Sequence, residues 1–252
     1  MGKSFDRSGY RAILTDAGRN FHARTRLALR ELDRLQGYAD QLSSGEETVL
    51  RIVIGDLFPR PQVLERLSRF FAERRRTRLH LDYEAVGGPI ERLGAGYADL
   101  TFHRVDPSDS KFERIELLNV KMVPVAAPGF LPFAPSETIT PEQMQPFTQC
   151  VIRDTAQAPS EAGFFLIEGA PQCSVPDQAM KKELILHGLA WGHLPAWLVE
   201  EELCDGRLIS IAGPNLPGRV EQLAAIRRRG FPHGPVAEAL WTAVKEWNGR
   251  IG

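Results

Sequence analysis

Hydrophobic residues recur at a regular spacing along the segment that begins at Phe21. Seven positions follow one another at alternating spacings of four and three residues, and six of the seven are apolar: Phe21, Thr25, Ala28, Leu32, Leu35, Ala39 and Leu42. A period of 3.5 residues is typical of a helix that packs along a second helix. At about 1.5 Å per residue, such a helix would form a rod about 33 Å long. We refer to these seven positions as the seam.

The pattern leaves one alternative open, because an amphipathic helix that packs only on its own domain would also carry an apolar stripe. In front of the helix, residues 4–6 and 10–14 predict two short strands around Arg7-Ser8-Gly9. Gly9 can supply the positive φ that such a tight turn requires. Thr15 is a good N-cap for the helix, and residues 43–45 end it.

Beyond Gly45 the pattern alternates between strands and helices. The first five elements are a β-branched strand at 49–54, a helix at 61–74, a strand at 79–86, a helix at 90–97 and a strand at 98–102. This order predicts a parallel sheet with right-handed crossovers. A second unit has strands at 120–127, 149–153, 172–175, 190–194 and 207–211, with helices at 141–147, 178–187 and 196–204. A strand at 220–227 and a helix at 236–250 close the chain.

Charge is distributed unevenly along the 252 residues, although the net charge is only −1. Residues 1–36 carry eight basic and four acidic side chains, which leaves the remainder of the chain acidic. A basic arm on an acidic body indicates a polyanion contact at one end. Apolar residues make up 43%, and no run is long enough to span a membrane or to serve as a signal peptide. Cys150, Cys173 and Cys204 show no metal-ligand spacing, which predicts reduced thiols and no metal site.

Three stretches resemble the LysR-type transcriptional regulators. "FDRSGYRAILTDAGR" is similar to the wing and the start of the linker helix in that family, and "PIERLGAGYADLTF" to its helix-Gly-strand element. "ELILHGLAWGHLPAWLVEEELCDGRLISI" resembles the effector-domain signature of Gly-x-x-x-Gly, Leu-Pro and Gly-x-Leu. The helices that precede the wing in the family are absent, so the start at Met1 is expected to be artificial or misassigned within a longer protein.

The resemblance implies an α/β fold with two Rossmann-like lobes of the periplasmic-binding-protein type, joined by two crossover strands. The implied bounds are a wing remnant at 1–14, a dimerising linker helix at 15–45, lobe I at 47–122 plus 219–252, and lobe II at 123–218. The wing implies DNA contacts by Arg7, Ser8 and Arg11. The linker helix implies dimer contacts by the seam, chiefly Phe21, Ala28, Leu32, Leu35 and Leu42.

In an open α/β sheet, ligands bind beyond the carboxyl ends of the strands, next to helix N-termini. These positions predict the effector-binding residues, which are Asp56, Leu57, Phe58, Gly87, Phe102, His103, Arg153, Asp154, Thr155, Gly192 and His193. Structural roles compete with this interpretation. His103 can be a surface histidine, Phe58 can belong to the core, and Arg153 can pair with Asp154.

Asp56 departs from the family pattern, in which a Ser or Thr near this position holds an effector carboxylate. A carboxylate here repels an anionic ligand. We therefore expect a neutral or amine-bearing ligand, or an Asp56 that is paired with an arginine such as Arg153.

The combined signals predict the effector-sensing and dimerisation part of a cytoplasmic LysR-type regulator, without a cofactor and without enzymatic activity. Its expected partners are a small-molecule effector, promoter DNA through the intact parent protein, and further copies of itself in a homodimer or homotetramer; no membrane is involved. The main rival is a solute-binding protein of the same two-lobe fold. An enzyme on that scaffold is a third class, which no catalytic motif favours.

Overall fold

The computed structural model describes residues 5–6, 13–22, 24–26, 28–29, 32, 35, 47–104, 106–134, 138–158 and 165–247. The predicted DNA-binding residues Arg7, Ser8 and Arg11 lie outside this part of the chain, as does Leu42 of the seam. Within it, no helix is both long enough and apolar enough to cross a membrane.

The N-terminal hairpin and the helix that follows it are both present. β1 (Phe5–Asp6) and β2 (Ile13–Leu14) pair antiparallel, with Phe5 opposite Leu14. α1 comprises the helical residues 16–22, 24–26, 28–29, 32 and 35. The hydroxyl oxygen of Thr15 accepts a hydrogen bond from the Gly18 N–H at 3.0 Å, which confirms the predicted N-cap.

Four of the five described seam positions are exposed in the single chain. Phe21, Leu32 and Leu35 are 67%, 60% and 57% exposed, and Ala28 is exposed as well. Arg26, which is not a seam position, instead places its guanidinium 5.6 Å from the ring centroid of Tyr97 in the globular part. The apolar seam residues Phe21, Ala28, Leu32 and Leu35 therefore do not fold back onto their own chain.

The first sheet has a parallel centre. β3 (Val49–Gly55) pairs in parallel with β4 (Arg78–Glu84) on one side and with β5 (Leu100–His103) on the other. The crossovers are α2 (Arg60–Phe71) and α3 (Gly88–Gly94). Ile52, Val53 and Ile54 of β3 are buried, which explains why a run of β-branched apolar residues marks this central strand.

Two long antiparallel strands connect this sheet to the second one. β6 (Phe112–Ala126) pairs with β11 (Arg219–Arg228) along the full length of β11, and β11 also pairs with β5. The far end of β6 pairs with β9 (Gly192–Pro195) and β10 (Ile209–Ser210). β7 (Gln149–Ile152) and β8 (Gln172–Val175) pair in parallel, and Gln149 forms a bridge to Trp191 next to β9.

The hydrophobic residues form separate cores on the two sides of this connection. Along β6, residues up to Met122 belong to the first core, and Val123 begins the second. α7 (Pro235–Lys245) packs on the first core, whereas α5 (Gln178–Leu186) and α6 (Ala196–Cys204) pack on the second. The single turn α4 (Pro141–Met144) borders a third cluster, which lies beside the second core. We call the parts around the first and second cores lobe I and lobe II. The predicted α/β architecture of two lobes joined by two crossing strands is confirmed, whereas the exact domain bounds stay a prediction.

The main difference from the sequence pattern is the length of β6. The strand was expected from residue 120, but it begins at Phe112. Residues 112–119 alternate between covered and partly exposed positions and include Glu113, Arg114, Glu116 and Asn119. One face of this half of the strand contacts solvent, and such mixed polarity gives no continuous apolar signal.

Candidate ligand site between the two lobes

A cavity of about 180 Å³ lies between the lobes. Both lobes contribute polar side chains to its wall, which are Asp56, Arg104, Gln149, Asp154, Gln178, Lys181, His193 and Glu221. The remaining wall is mostly apolar and includes Leu57, Met122, Ile152 and Phe165. A cavity with an apolar wall and a few convergent polar groups is the usual form of a small-molecule site.

Asp56 forms a hydrogen bond across the cavity. It follows β3 and precedes α2, and it is only 8% exposed. One carboxylate oxygen accepts from the side-chain amide of Gln178 in lobe II at 2.9 Å, and the other accepts from the Val86 N–H at 3.4 Å. A buried carboxylate needs such donors because burial removes its hydration. The side-chain amide of Gln178 thus occupies the place that we expected an arginine such as Arg153 to take.

Three further contacts join the lobes beside the cavity. The Asp154 carboxylate accepts from the Gly87 N–H at 3.0 Å. The Thr155 hydroxyl accepts a hydrogen bond from the Ala85 N–H and donates one to the Ala85 carbonyl oxygen, both at 3.0 Å. The Gln157 N–H donates to Glu91 at 2.7 Å. All three reach the N-terminal end of α3 or the residues just before it, so one short loop of lobe II is fixed against one helix of lobe I.

Glycine makes this close approach possible. A Cβ added at Gly88 would overlap with the Thr155 hydroxyl oxygen and lie 3.0 Å from Glu84 Oε2. At Gly87, a Cβ would lie 3.2 Å from the free oxygen of Asp154. The pair of glycines therefore lets the loop after β7 pack directly on the backbone of lobe I.

Lys181 brings a cation to the same cavity. It lies three residues after Gln178 on α5, so the two side chains share a helix face. Its side chain passes close to Gly192, where an added Cβ would be 2.8 Å from Lys181 Cε. Burial lowers the pKa of the Lys181 ammonium to about 8, and nearby Cys150 and Asp56 oppose that decrease. Among the described residues, Lys181 has no ion-pair partner.

His193 exposes an acceptor to the cavity. Its ring stacks on Phe165, with the ring centroids 4.1 Å apart. Nε2 lies 3.3 Å from the Pro217 carbonyl oxygen, and a carbonyl can only accept, so Nε2 carries the proton. Nδ1 is then a bare acceptor. Burial, together with the charge of Lys181, lowers the pKa of His193 to about 4.

His103 supports the site from behind. Its ring is 1% exposed and packs on Gly55, and Nε2 lies 2.8 Å from the Val86 carbonyl oxygen. Burial lowers the pKa of His103 to about 4, although the nearby Asp56 carboxylate acts in the opposite direction. His103 therefore holds Val86, whose N–H contacts Asp56, and it is neither a surface residue nor part of the cavity wall.

Four of the eleven predicted effector-binding residues line the cavity: Asp56, Leu57, Asp154 and His193. A second set contacts residues of the wall or lies next to one in the chain, and its members are Gly87, His103, Thr155 and Gly192. Phe58 and Phe102 belong to the core of lobe I, with ring centroids 5.7 Å apart. Arg153 is exposed and does not reach the cavity or form an ion pair with Asp154.

Sequence reasoning missed most of the polar residues from lobe II. Gln178 and Lys181 occupy the first turns of a helix that the sequence did predict, and helix starts face the strand ends in this fold. Gln149 was missed because its amide bonds within its own lobe, to Phe165 O at 2.6 Å and from the Ile167 N–H at 3.1 Å. Cys150 also lines the cavity, and burial raises the pKa of its thiol to about 12, which leaves it protonated and unreactive.

Residues 43–249 match the family model of the LysR substrate binding domain. The chain belongs to the LysR family. The resemblance inferred from the sequence is thus confirmed, and the chain is the effector-sensing portion of a LysR-type regulator.

Individual relatives agree with this assignment. The LysR-family chain is 29% identical over 229 residues to the probable HTH-type transcriptional regulator YhaJ of Escherichia coli K12, covering 89% of this chain and 75% of that protein. It is 30% identical over 206 residues to the HTH-type transcriptional regulator YeeY of the same strain, covering 81% and 67%. The full-length regulator LysG of Corynebacterium glutamicum, with its effector Arg bound, superposes with a TM-score of 0.59 at 18% identity, over 96% of this chain and 81% of that one. That likeness shows the fold.

The two buried histidines make stability depend on pH. Their folded pKa of about 4 is below the ordinary value of 6.5, so the unfolded chain binds more protons between those values. Stability is therefore greatest above pH 6.5 and falls as the pH decreases toward 4. We expect each histidine to cost about 1–2 kcal/mol at pH 5 relative to pH 7, measured by urea unfolding at both values.

His193→Gln should reduce the loss of stability between pH 7 and pH 5 by about 1–2 kcal/mol. His80→Gln, which removes an exposed histidine, is the matched control and should leave it unchanged. Equal losses of stability in the parent and in His193→Gln would contradict a neutral, buried His193.

Proposed function

We propose that a small effector binds in the cavity and sets how tightly the two lobes close. The hydrogen bond between Asp56 and Gln178 carries this proposal, because it crosses between the lobes at the cavity itself. A ligand that binds there must either add to this contact or replace it. The balance between closed and open lobes then shifts according to the ligand's relative affinity for the two states.

The proposed effector-binding residues are Asp56, Leu57, Asp154 and His193 from the sequence analysis, together with Gln178 and Lys181. Gly87, His103, Thr155 and Gly192 are proposed to position them. The proposed function is binding and switching, without catalysis, in a cytoplasmic protein.

Closure has a physical route to the N-terminal helix. The loop with Asp154 and Thr155 holds the start of α3, and Tyr97 follows the end of that helix. Arg26 of α1 and Arg92 of α3 both place their guanidinium groups over the Tyr97 ring, at 5.6 and 6.0 Å from its centroid. A shift of lobe II against α3 would therefore move Tyr97 and change the position of α1 relative to the globular part.

α1 in turn is proposed to pair with the same helix of a second copy through the seam, in a homodimer or homotetramer. In the parent protein, Arg7, Ser8 and Arg11 would contact promoter DNA beside the helix that reads the bases. Phosphate contacts by such a wing position a protein on DNA but carry little sequence information. The rods would then set the spacing of two DNA-binding heads. The exposed seam and the local excess of basic residues support this arrangement.

Gly88→Ala tests whether the lobes close on each other in this way. The added methyl group would overlap with Thr155, so we expect an open cleft with a larger radius of gyration and a stability loss of about 1–3 kcal/mol. Small-angle X-ray scattering and urea unfolding measure the two effects.

Gly94→Ala in the same helix is the matched control, because its nearest contact would be Phe112 Cζ at an ordinary 3.8 Å. If both variants have the same radius of gyration and the same free energy of unfolding, the lobes do not approach closely at Gly88.

Leu32→Glu combined with Leu35→Glu tests the seam. Two carboxylates at facing positions would repel those of the partner helix, so the double variant should sediment as a smaller species in analytical ultracentrifugation. Its globular part should remain folded, because both leucines are exposed in the single chain.

Asn20→Glu is the control for charge alone, since Asn20 is exposed on α1 outside the seam. Unchanged sedimentation of the double variant would rule out self-association through this face.

A further inference from the structure

Three buried acceptors of the cavity wall have neither a hydrogen-bond partner nor an ion-pair partner among the described residues. They are the second carboxylate oxygen of Asp154, the side-chain oxygen of Gln178 and Nδ1 of His193. Gln178 and His193 are 6% and 3% exposed, so solvent does not satisfy these atoms in the closed state. An unmet buried acceptor destabilises the closed state, and a ligand that donates a hydrogen bond to it removes that cost.

The cavity wall also contains one cation without an ion-pair partner among the described residues, Lys181. Lys181 is 7% exposed and forms no ion pair within the described part of the chain. The other cation of the wall, Arg104, lies 3.7 Å from Glu221, which Arg219 also approaches at 3.0 Å. Gln149 is likewise occupied, because both ends of its amide bond the backbone. Lys181 is therefore the wall's available partner for an anionic group.

The acceptors and carboxylates of the wall favour a cationic group on the ligand, whereas Lys181 favours an anionic group. Asp56 and Asp154 both present carboxylates, so a ligand that is only an acid would be repelled by two charges and attracted by one. A ligand that is only an amine would satisfy the acceptors but leave Lys181 uncompensated beside a second cation. A molecule with a primary ammonium and a carboxylate satisfies both sets.

The size of the cavity limits such a ligand. An engineered cavity of about 150 Å³ accommodates benzene, so about 180 Å³ corresponds to roughly six to ten non-hydrogen atoms. After the two charged groups are placed, room remains for a short apolar side chain. Leu57, Met122, Ile152 and Phe165 offer it an apolar wall.

We propose that the effector is a small zwitterion of the amino-acid type, with its carboxylate on Lys181 and its ammonium on Asp154 and the Gln178 oxygen. This assignment rests on the proposed function, since it names the ligand class of the same cavity. Asp56 contributes by holding Gln178 in place and by adding negative charge on the ammonium side.

Matched compounds test the assignment. Norvaline carries both groups on a short apolar chain, pentanoate lacks the amine, and butylamine lacks the acid. α-Amino acids of up to about ten non-hydrogen atoms extend the series, each accompanied by its own acid and amine. Binding to the full chain is measured by thermal shift and isothermal titration calorimetry, since a ligand of the native state raises its apparent stability. We expect at least one amino acid to bind about tenfold or more tightly than both of its matched compounds.

Lys181→Met and Asp154→Asn then locate the two charges. Loss of a charge-assisted hydrogen bond should weaken binding of that amino acid about 10-fold to 100-fold in each variant. Lys121→Met, which removes an exposed cation of β6, should leave the affinity unchanged. Because the two substitutions affect residues that bind opposite ends of the ligand, either variant can still test the assignment if the other fails to fold.

Other outcomes overturn the assignment. An acid or an amine that binds as tightly as its parent amino acid, or full affinity in Lys181→Met, would exclude the zwitterion but leave a ligand site between the lobes. Absence of binding by the whole series also excludes it. The scattering comparison of Gly88→Ala with Gly94→Ala does not depend on ligand chemistry, so it judges the proposed function separately.

Discussion

The rest of the site depends on a carboxylate that is buried between two lobes. Asp56 loses most of its hydration, and its compensation comes from both sides of the cleft: the Gln178 amide from lobe II and the Val86 N–H from lobe I. A charge in such a position is tolerable only while its donors stay in place. Closure of the lobes and solvation of Asp56 are therefore coupled, and opening the cleft would exchange the amide for water.

This coupling explains the chemistry of the neighbouring residues. The histidines of the site are neutral because burial lowers the pKa of both rings, against the nearby Asp56 at His103 and together with the charge of Lys181 at His193, and the neutral ring of His193 presents an acceptor. The Gln178 amide N–H donates a hydrogen bond to Asp56, and the amide oxygen has no hydrogen-bond partner among the described residues. Lys181 lies on the same face of α5 and brings a positive charge to the cavity wall. The orientation of the Gln178 amide is thus a consequence of how one aspartate is satisfied.

Much of the fold could be predicted from the sequence because its central strands β3 and β5 are largely buried. β3 has a β-branched apolar run, interrupted at Arg51, that predicts a strand, and the Gly-x-x-x-Gly and Leu-Pro signals place β9 and α6. The first half of β6 could not be predicted, since one of its faces contacts solvent and its polarity is mixed. The N-cap at Thr15 depends on local chemistry alone, and it was predicted correctly.

The site was harder to predict because its contacts join residues far apart in the chain. The strand-end rule found Asp56 and Asp154, each next to a sheet edge. It also selected Phe58 and Phe102, since position along a strand does not reveal which face a side chain occupies. Gln178 lies 122 positions from Asp56, and no local pattern indicates that an amide on one helix meets a carboxylate on another lobe.

A double-mutant cycle at Asp56 and Gln178 tests the central claim most directly. The unfolding free energies of the parent, Asp56→Ala, Gln178→Ala and the double variant give the coupling between the two side chains. We expect a coupling of about 1.5–3 kcal/mol, as for a buried hydrogen bond to a charged group. A coupling near zero would mean that the two lobes do not meet through this contact and would contradict the proposed link between closure and the cavity.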